Sequence, residues 1–386
     1  MLNFDLSPEQ LLMKEAAERY LRDAYSFDAR RRILAGDEGI SREVWRRMGE
    51  FGWLGLPLSK AAGGLGGSPV DIMVLAEQIG RALVVEPWFA SVLLAGRLVD
   101  RLGSAEQKTR ALSPLIAGKT FLGFAHLEAD ARFELASVRT TARRQGDGWA
   151  LDGAKTMALG APLADWIVVS ARTGGTPNDA DGISLFLVRR DASGVSVRPY
   201  RSVDGHGAAD LVLASAAVPD DARLGETGAA FVVLDEVIAA ATAALCAEAV
   251  GAMDRANAIT LEYLKTREQF GQKIGKFQAL QHRMVDLFME AELSRSIMIA
   301  ATIKLEEGAA DAQAAISAAK VRIGKAGKLV GTQGVQFHGG MGMTQEYPIG
   351  HYYRRLLAIE TMFGNTAFHR AQVVQASRAA MTDSGA

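Results

Sequence analysis

Between residues 119 and 228 the chain abandons the residue spacing that governs both of its flanks, and that break fixes its layout more than any single motif. On the N-terminal side, Ser7, Pro8 and Gln10 read as an N-cap, a first-turn proline and a capping-box partner. Leu12, Ala16 and Tyr20 follow at helical intervals. Ser41, Ser68 and Ser104 open further helices of the same kind. The glycine run 63–67 is read as a helix-linking loop, because no Lys-Ser or Lys-Thr pair follows it as a phosphate loop requires. Inside the break, runs such as Trp166–Arg172 and Ile183–Arg189 are short and β-branched, and Gly, Asn and Asp clusters separate them. They predict a small antiparallel β-domain. Helical spacing then returns over about Phe231–Tyr263, Phe277–Glu307, Asp311–Leu329, Pro348–Leu357 and Asn365–Ala380. Long helices with short connections predict a four-helix bundle. The expected fold is α+β, mostly α, in three parts: an N-terminal helical domain at 1–118, a β-domain at 119–228 and a C-terminal helical bundle at 229–386.

Charge narrows the partners. Lys plus Arg is 43 against 44 for Asp plus Glu, a net charge of −1 over 386 residues, which offers no general pull toward nucleic acid or an anionic membrane. The single Cys246 excludes an internal disulfide and fits a reducing compartment; within its apolar helical run it reads as a small buried hydrophobe. No tripartite secretory signal and no membrane-length apolar run is visible. No metal-ligand spacing occurs either. A soluble cytoplasmic protein is the expectation.

Two stretches carry chemistry. Arg267, Phe270, Gly271, Phe277 and Gln278 lie between two long helices, and Gln336, Gly339 and Gly340 lie downstream. A guanidinium presents a planar fork suited to phosphate oxygens, an amide can read a base or sugar edge, and glycine lets a ligand approach the backbone. Taken together, and over nearly the whole chain, these residues resemble the acyl-CoA dehydrogenase family. The nearest resemblance is to the small-subunit-like chains of heteromeric enzymes, the pimeloyl-CoA dehydrogenase small subunit type.

That resemblance implies FAD-dependent α,β-dehydrogenation of an acyl-CoA thioester, with the flavin site built from two subunits. It assigns Arg267 to the pyrophosphate, and Phe270, Phe277, Gln278, Gln336, Gly339 and Gly340 to the adenosine-side half. The ring-side half departs from the family pattern. Leu127 stands where a hydroxyl is usual, Arg132 and Phe133 where Gly and Ser are usual, and Met157, Ala158 and Leu159 where the family has Trp-Ile-Thr. Phe363 occupies the usual position of the catalytic Glu, and Ala241 the alternative one. Ala239 and Thr242 replace the CoA-contacting Asp and Arg. Glu248 remains, an acid in an apolar run about two turns beyond Ala241. It is either a relocated base or an ion-pair partner for Arg255 or for an Arg of a neighbouring subunit. The implied partners are an acyl-CoA substrate and a second dehydrogenase subunit in an α2β2 heterotetramer, or else a homotetramer. Electrons would pass to an electron-transfer flavoprotein. A non-catalytic assembly subunit without flavin is the third possibility.

Overall fold

A computed structural model describes residues 5–383. Eleven α-helices and ten strands are present among them. The helices are α1 Pro8–Ala24, α2 Phe27–Ala35, α3 Arg42–Glu50, α4 Pro69–Ala82, α5 Arg97–Leu102, α6 Ala105–Ile116, α7 Phe231–Thr266, α8 Gln278–Glu306, α9 Ala312–His338, α10 Ile349–Thr361 and α11 Thr366–Asp383. The strands are β1 Leu122–Ala125, β2 Thr141–Gln145, β3 Gly148–Leu159, β4 Trp166–Arg172, β5 Ile183–Arg189, β6 Val195–Arg201, β7 Gly207–Pro219, β8 Arg223–Leu224, β9 Glu268–Gln269 and β10 Gln272–Lys273. The helix, sheet, helix order expected from the sequence is the one observed.

The capping signals form as read. The Ser7, Ser68 and Ser104 hydroxyls accept from the third helical amide, while Gln10, Asp71 and Gln107 reach back to the cap backbone. Each such box ties up donors that the first helical turn would otherwise leave unsatisfied.

Packing divides the chain along a different line from element type. One compact unit comprises Met1–Arg32, Ser68–Val84 and Thr242–Ala386, and the other Ile33–Gly67 and Val85–Ala241. Helices α1 and α4 thus belong with the C-terminal helices, and α3, α5 and α6 with the sheet.

In the second unit the main sheet runs β6-β7-β3-β1-β4-β5-β8, with β2 joined to β3 and β4. It is not purely antiparallel, which corrects the sequence expectation: β1 pairs with β4 in parallel register, Leu122 opposite Trp166, and Thr141 of β2 faces Arg172 in the same sense. Strand β1 has four residues, all buried, and is too short to show a period.

In the first unit α9 is the central helix, flanked by α8, α10 and α11. It runs past the expected end at Leu329 as far as His338, so Gln336 is helical and only Gly339 stops the helix, at φ 57. The tightest crossing is between α4 and α7. A Cβ on Gly80 would fall on the carbonyl of Glu248, and a Cβ on Gly251 would fall on the carbonyl of Glu77. Two backbones meet where neither helix has a side chain.

Two predictions follow from this packing. Gly80→Ala or Gly251→Ala must push the helices apart and should cost about 2–3 kcal/mol in chemical denaturation. Gly174→Ala, where an added Cβ meets nothing within 4 Å, should stay within about 0.5 kcal/mol. Burial, reinforced by the nearby Lys155 and Lys320 charges, holds His126 down to about 3 and His369 down to about 4, and burial holds His351 down to about 4. The unfolded chain therefore binds more protons below about pH 6.5 than the folded one. Stability should fall as pH drops from about 6.5 toward 4, read as a decreasing urea midpoint.

Candidate flavin site

Helix α7 ends at Thr266, and Arg267 leads into a hairpin in which Gln269 faces Gln272 and Glu268 faces Lys273. The two tip residues, Phe270 and Gly271, have φ 54 and 75. Both positive values are those of a type I′ turn, where Asn-Gly is the favoured pair. A phenylalanine there bears a cost on the order of 1–2 kcal/mol. Phe270 is 90% exposed and touches Phe277 edge-on, with ring centroids 6.2 Å apart. Nothing in the fold of this chain requires an aromatic ring at that point, and strain of this kind is evidence for a binding role.

The second stretch lies close by. His338, just before Gly339, stacks on Tyr263, one turn before Arg267, with centroids 4.3 Å apart. Arg283 of α8 donates to Gln333 and lies over the Phe337 ring at 4.9 Å. The start of α8, with Gln278, is thereby joined to the end of α9, with Gln336. Arg267, Gln278 and Gln336 are exposed, and their side chains make no hydrogen bond or ion pair among the described residues. A Cβ added at Gly271, Gly339 or Gly340 would meet nothing within 4 Å. A solvated guanidinium, two free amides and an open glycine backbone form a donor set that fits a phosphate-bearing cofactor.

The ring-side residues lie on the sheet unit. Strand β3 bulges against β7 between Lys155 and Ala158, and Met157 takes φ 49 there. Its amide donates to the Tyr200 hydroxyl at 3.1 Å, and the neighbouring Thr156 amide donates to the Leu127 carbonyl at 2.8 Å. The bulge therefore places Leu127 and Met157 side by side, 36% and 37% exposed, as an apolar platform. Leu159 is half-buried, Arg132 exposed at φ 50 and Phe133 half-buried.

Below this platform is a buried pair that sequence reading did not single out. Lys155 Nζ, on a residue with no exposure, donates to Glu128 Oε1 at 2.7 Å and to Ser170 Oγ at 2.9 Å. Burial pushes its ammonium down to about 8, opposed by the Glu128 charge. Burial alone would raise the Glu128 carboxyl, but the Lys155 charge together with hydrogen bonds from Lys155 and Thr140 outweighs it, and the net shift is downward. Glu128 also accepts the Arg139 and Thr140 amides at 2.8 and 2.9 Å, so one carboxylate closes the loop that carries Arg132 and Phe133. Arg172 fixes the same loop from the other side by donating to six carbonyls, among them Ala136 and Val138.

Glu248 has a partner that neither sequence alternative named. Its Oε1 accepts from Arg355 Nε of α10 at 2.6 Å, and the two side chains are 7% and 4% exposed. A carboxylate oxygen taken up by a buried guanidinium is sterically engaged, which argues against general-base work. Phe363 is half-buried at φ 54, in a turn pinned by buried Lys320, whose ammonium donates to the carbonyls of Glu360, Met362 and Gly364. Ala241 and Thr242 are buried and offer no acid. Burial drives the Cys246 thiol up to about 12, as suits a small hydrophobe rather than a nucleophile.

Family models for the acyl-CoA dehydrogenase N-terminal, middle and C-terminal domains match residues 7–119, 123–216 and 231–377. The chain belongs to the acyl-CoA dehydrogenase family. It is 28% identical over 380 residues to the probable acyl-CoA dehydrogenase YngJ of Bacillus subtilis, covering 97% of this chain and 99% of that one. It is 29% identical over 318 residues to CarC, a subunit of the caffeyl-CoA reductase-Etf complex of Acetobacterium woodii, covering 81% and 83%. The FAD complex of PigA superposes with a TM-score of 0.89 at 27% identity over 97% of this chain and 98% of that one. FAD is the cofactor of the family fold, and the chain is of the oxidoreductase class. Among the described residues no helix is long and apolar enough to cross a membrane.

Arg355→Met should leave Glu248 buried without its partner and cost about 3–5 kcal/mol in urea denaturation. Replacing both with Met should recover most of that loss, because the uncompensated charge is then gone.

Proposed function

We propose that this chain supplies the adenosine and pyrophosphate half of a flavin site shared with a second acyl-CoA dehydrogenase chain, in an α2β2 assembly with fewer flavins than chains. The assembly would carry out α,β-dehydrogenation of an acyl-CoA thioester. One contrast carries this reading. Arg267, Gln278 and Gln336 are free beside open glycines, whereas the ring-side platform is apolar at Leu127 and Met157.

In this reading Arg267 holds the pyrophosphate, Phe270 and Phe277 pack against the adenosine, and Gln278 and Gln336 bond its polar edges. Gly339 and Gly340 leave room for the backbone to approach it. A bound flavin would supply the hydride acceptor. The base belongs to the partner, since Phe363 carries no acid and Glu248 is engaged by Arg355. The resemblance to pimeloyl-CoA dehydrogenase small subunits suggests dicarboxylyl-CoA, fatty acyl-CoA or bulky side-chain CoA substrates. CarC belongs to a complex with Etf, which supports an electron-transfer flavoprotein as acceptor. The net charge of −1 and the absence of a membrane-length helix among the described residues agree with a cytoplasmic location.

One observation favours a self-sufficient homotetramer instead. The β3 bulge leaves Leu127 and Met157 open, so a flat ring could lie on them. The visible spectrum of the chain purified alone separates the two readings. The shared site predicts a colourless protein that turns yellow on co-expression with its partner; near-stoichiometric flavin in the lone chain would overturn it. In the complex, Arg267→Ala should weaken flavin retention at least about tenfold, the worth of a charge-assisted phosphate contact. Glu248→Gln should leave turnover within a few-fold, whereas a collapse of turnover in a folded variant would restore Glu248 as the base.

A further inference from the structure

The helical unit contains a cavity of about 620 Å³ lined by none of the residues assigned to the flavin half-site, although Tyr263, whose ring meets His338 beside that half-site, forms part of its wall. It opens between the end of α1, the end of α4, the last turns of α7 and the start of α10. Its volume lies in the range of small-molecule sites. We propose that it binds a flat heteroaromatic anion of the purine mononucleotide class.

The floor supplies the first argument. Gln78 lines the cavity, is 3% exposed, and its amide makes no hydrogen bond among the described residues. It also borders a second cavity of about 440 Å³. A primary amide that faces the cavity without a protein partner offers a donor and an acceptor side by side in one plane. That pair matches the edge of a heterocycle that itself carries one acceptor and one donor, as an adenine does. A purely apolar occupant would leave the amide unsatisfied.

Aromatic walls supply the second. Tyr263 and Tyr347 line the cavity with ring centroids 6.3 Å apart and planes inclined at 68°. A ring lying against one can meet the other edge-on, both favourable aromatic geometries. Tyr25 and Tyr352, 3% and 5% exposed, add aromatic surface at depth.

Charge at the rim supplies the third. Arg22, Arg81 and Arg255 stand against Glu18 and Glu262. Arg22 is paired with Asp23, and Arg81 approaches Asp254 at 4.0 Å. Arg255 lines the same rim as Tyr352 and has no carboxylate partner among the described residues. The Tyr352 hydroxyl donates to the Arg81 carbonyl at 2.6 Å, which fixes the phenol in the cavity wall. A guanidinium free of carboxylates at the mouth of an aromatic cleft suits an anion, and a phosphate best matches its forked donors.

The test is calorimetric titration of the purified full chain with AMP, adenosine and ribose 5-phosphate. The expected result is one AMP per chain with a dissociation constant on the order of 0.1–1 mM. Adenosine and ribose 5-phosphate should each bind at least about tenfold more weakly, since each lacks one of the two recognised features. Gln78→Leu and Arg255→Ala should each weaken AMP at least about fivefold, while Arg267→Ala leaves it unchanged. Thermal melts confirm that each variant is folded, and Tyr347→Ala replaces Gln78→Leu if the latter is not. Two outcomes would overturn the proposal. One is no saturable heat with AMP at millimolar concentration. The other is AMP binding that is lost in Arg267→Ala and kept in Gln78→Leu and Arg255→Ala, which would assign the nucleotide to the flavin half-site and leave the shared-site reading standing.

Discussion

The helical unit depends on one place where two backbones touch. Gly80 and Gly251 let α4 and α7 cross with no side chain between them, each carbonyl of one helix facing the bare Cα of the other. What flanks that contact is placed by it. On α4, Glu77 reaches Arg295 of α8 at 2.9 Å, and Gln78 and Arg81 turn to the cavity. On α7, Glu248 points to Arg355, and the turns beyond carry Arg255 and Tyr263, with Arg267 just past the helix end. A widening of the crossing by even a methyl group would shift the hairpin and the cavity floor together. Interiors are close-packed and transmit such displacements rather than absorb them.

Buried charge serves geometry throughout this protein. Lys155, Lys320 and Arg172 are each almost wholly enclosed, and each spends its donors on carboxylate, hydroxyl or carbonyl oxygens of a turn or loop. The desolvation of an ammonium or guanidinium is offset only when nearly every donor has an acceptor in place. Such a group therefore admits one loop conformation and rejects the rest. The loop beside Leu127 and Met157 and the turn that holds Phe363 are both fixed in this way.

How much of this could be read in the sequence follows from the range of each interaction. The capping box at Ser7 and the helix starts at Ser68 and Ser104 are local signals and were legible to the residue. The change from helical to strand spacing was legible because it recurs over many residues. Strand β1 was not, since four consecutive buried residues have no period. The end of α9 was misplaced because Gln336, Phe337 and His338 tolerate a helix, and only the glycine pair after them breaks it. Of the site, the free donors were legible as a motif; the bulge that presents Leu127 and Met157 was not, because it is a register shift against β7. The partner of Glu248 lies on α10, far along the chain, and no spacing rule relates the two. Gln78 carried no signal at all, because an unpaired amide is a property of its surroundings.

The hairpin tip sets two kinds of selection against each other. Phe270 holds a left-handed conformation that glycine or asparagine adopts more cheaply, and it holds a large apolar ring in water. A library sorted only for solubility or heat resistance should therefore replace it early, and would count the replacement as an improvement. Under the shared-site proposal, a library sorted for cofactor-dependent growth should keep it. A consensus or stabilising redesign that scores the isolated chain would then erase a residue that acts only in the assembly, and the loss would not show until the two chains are mixed.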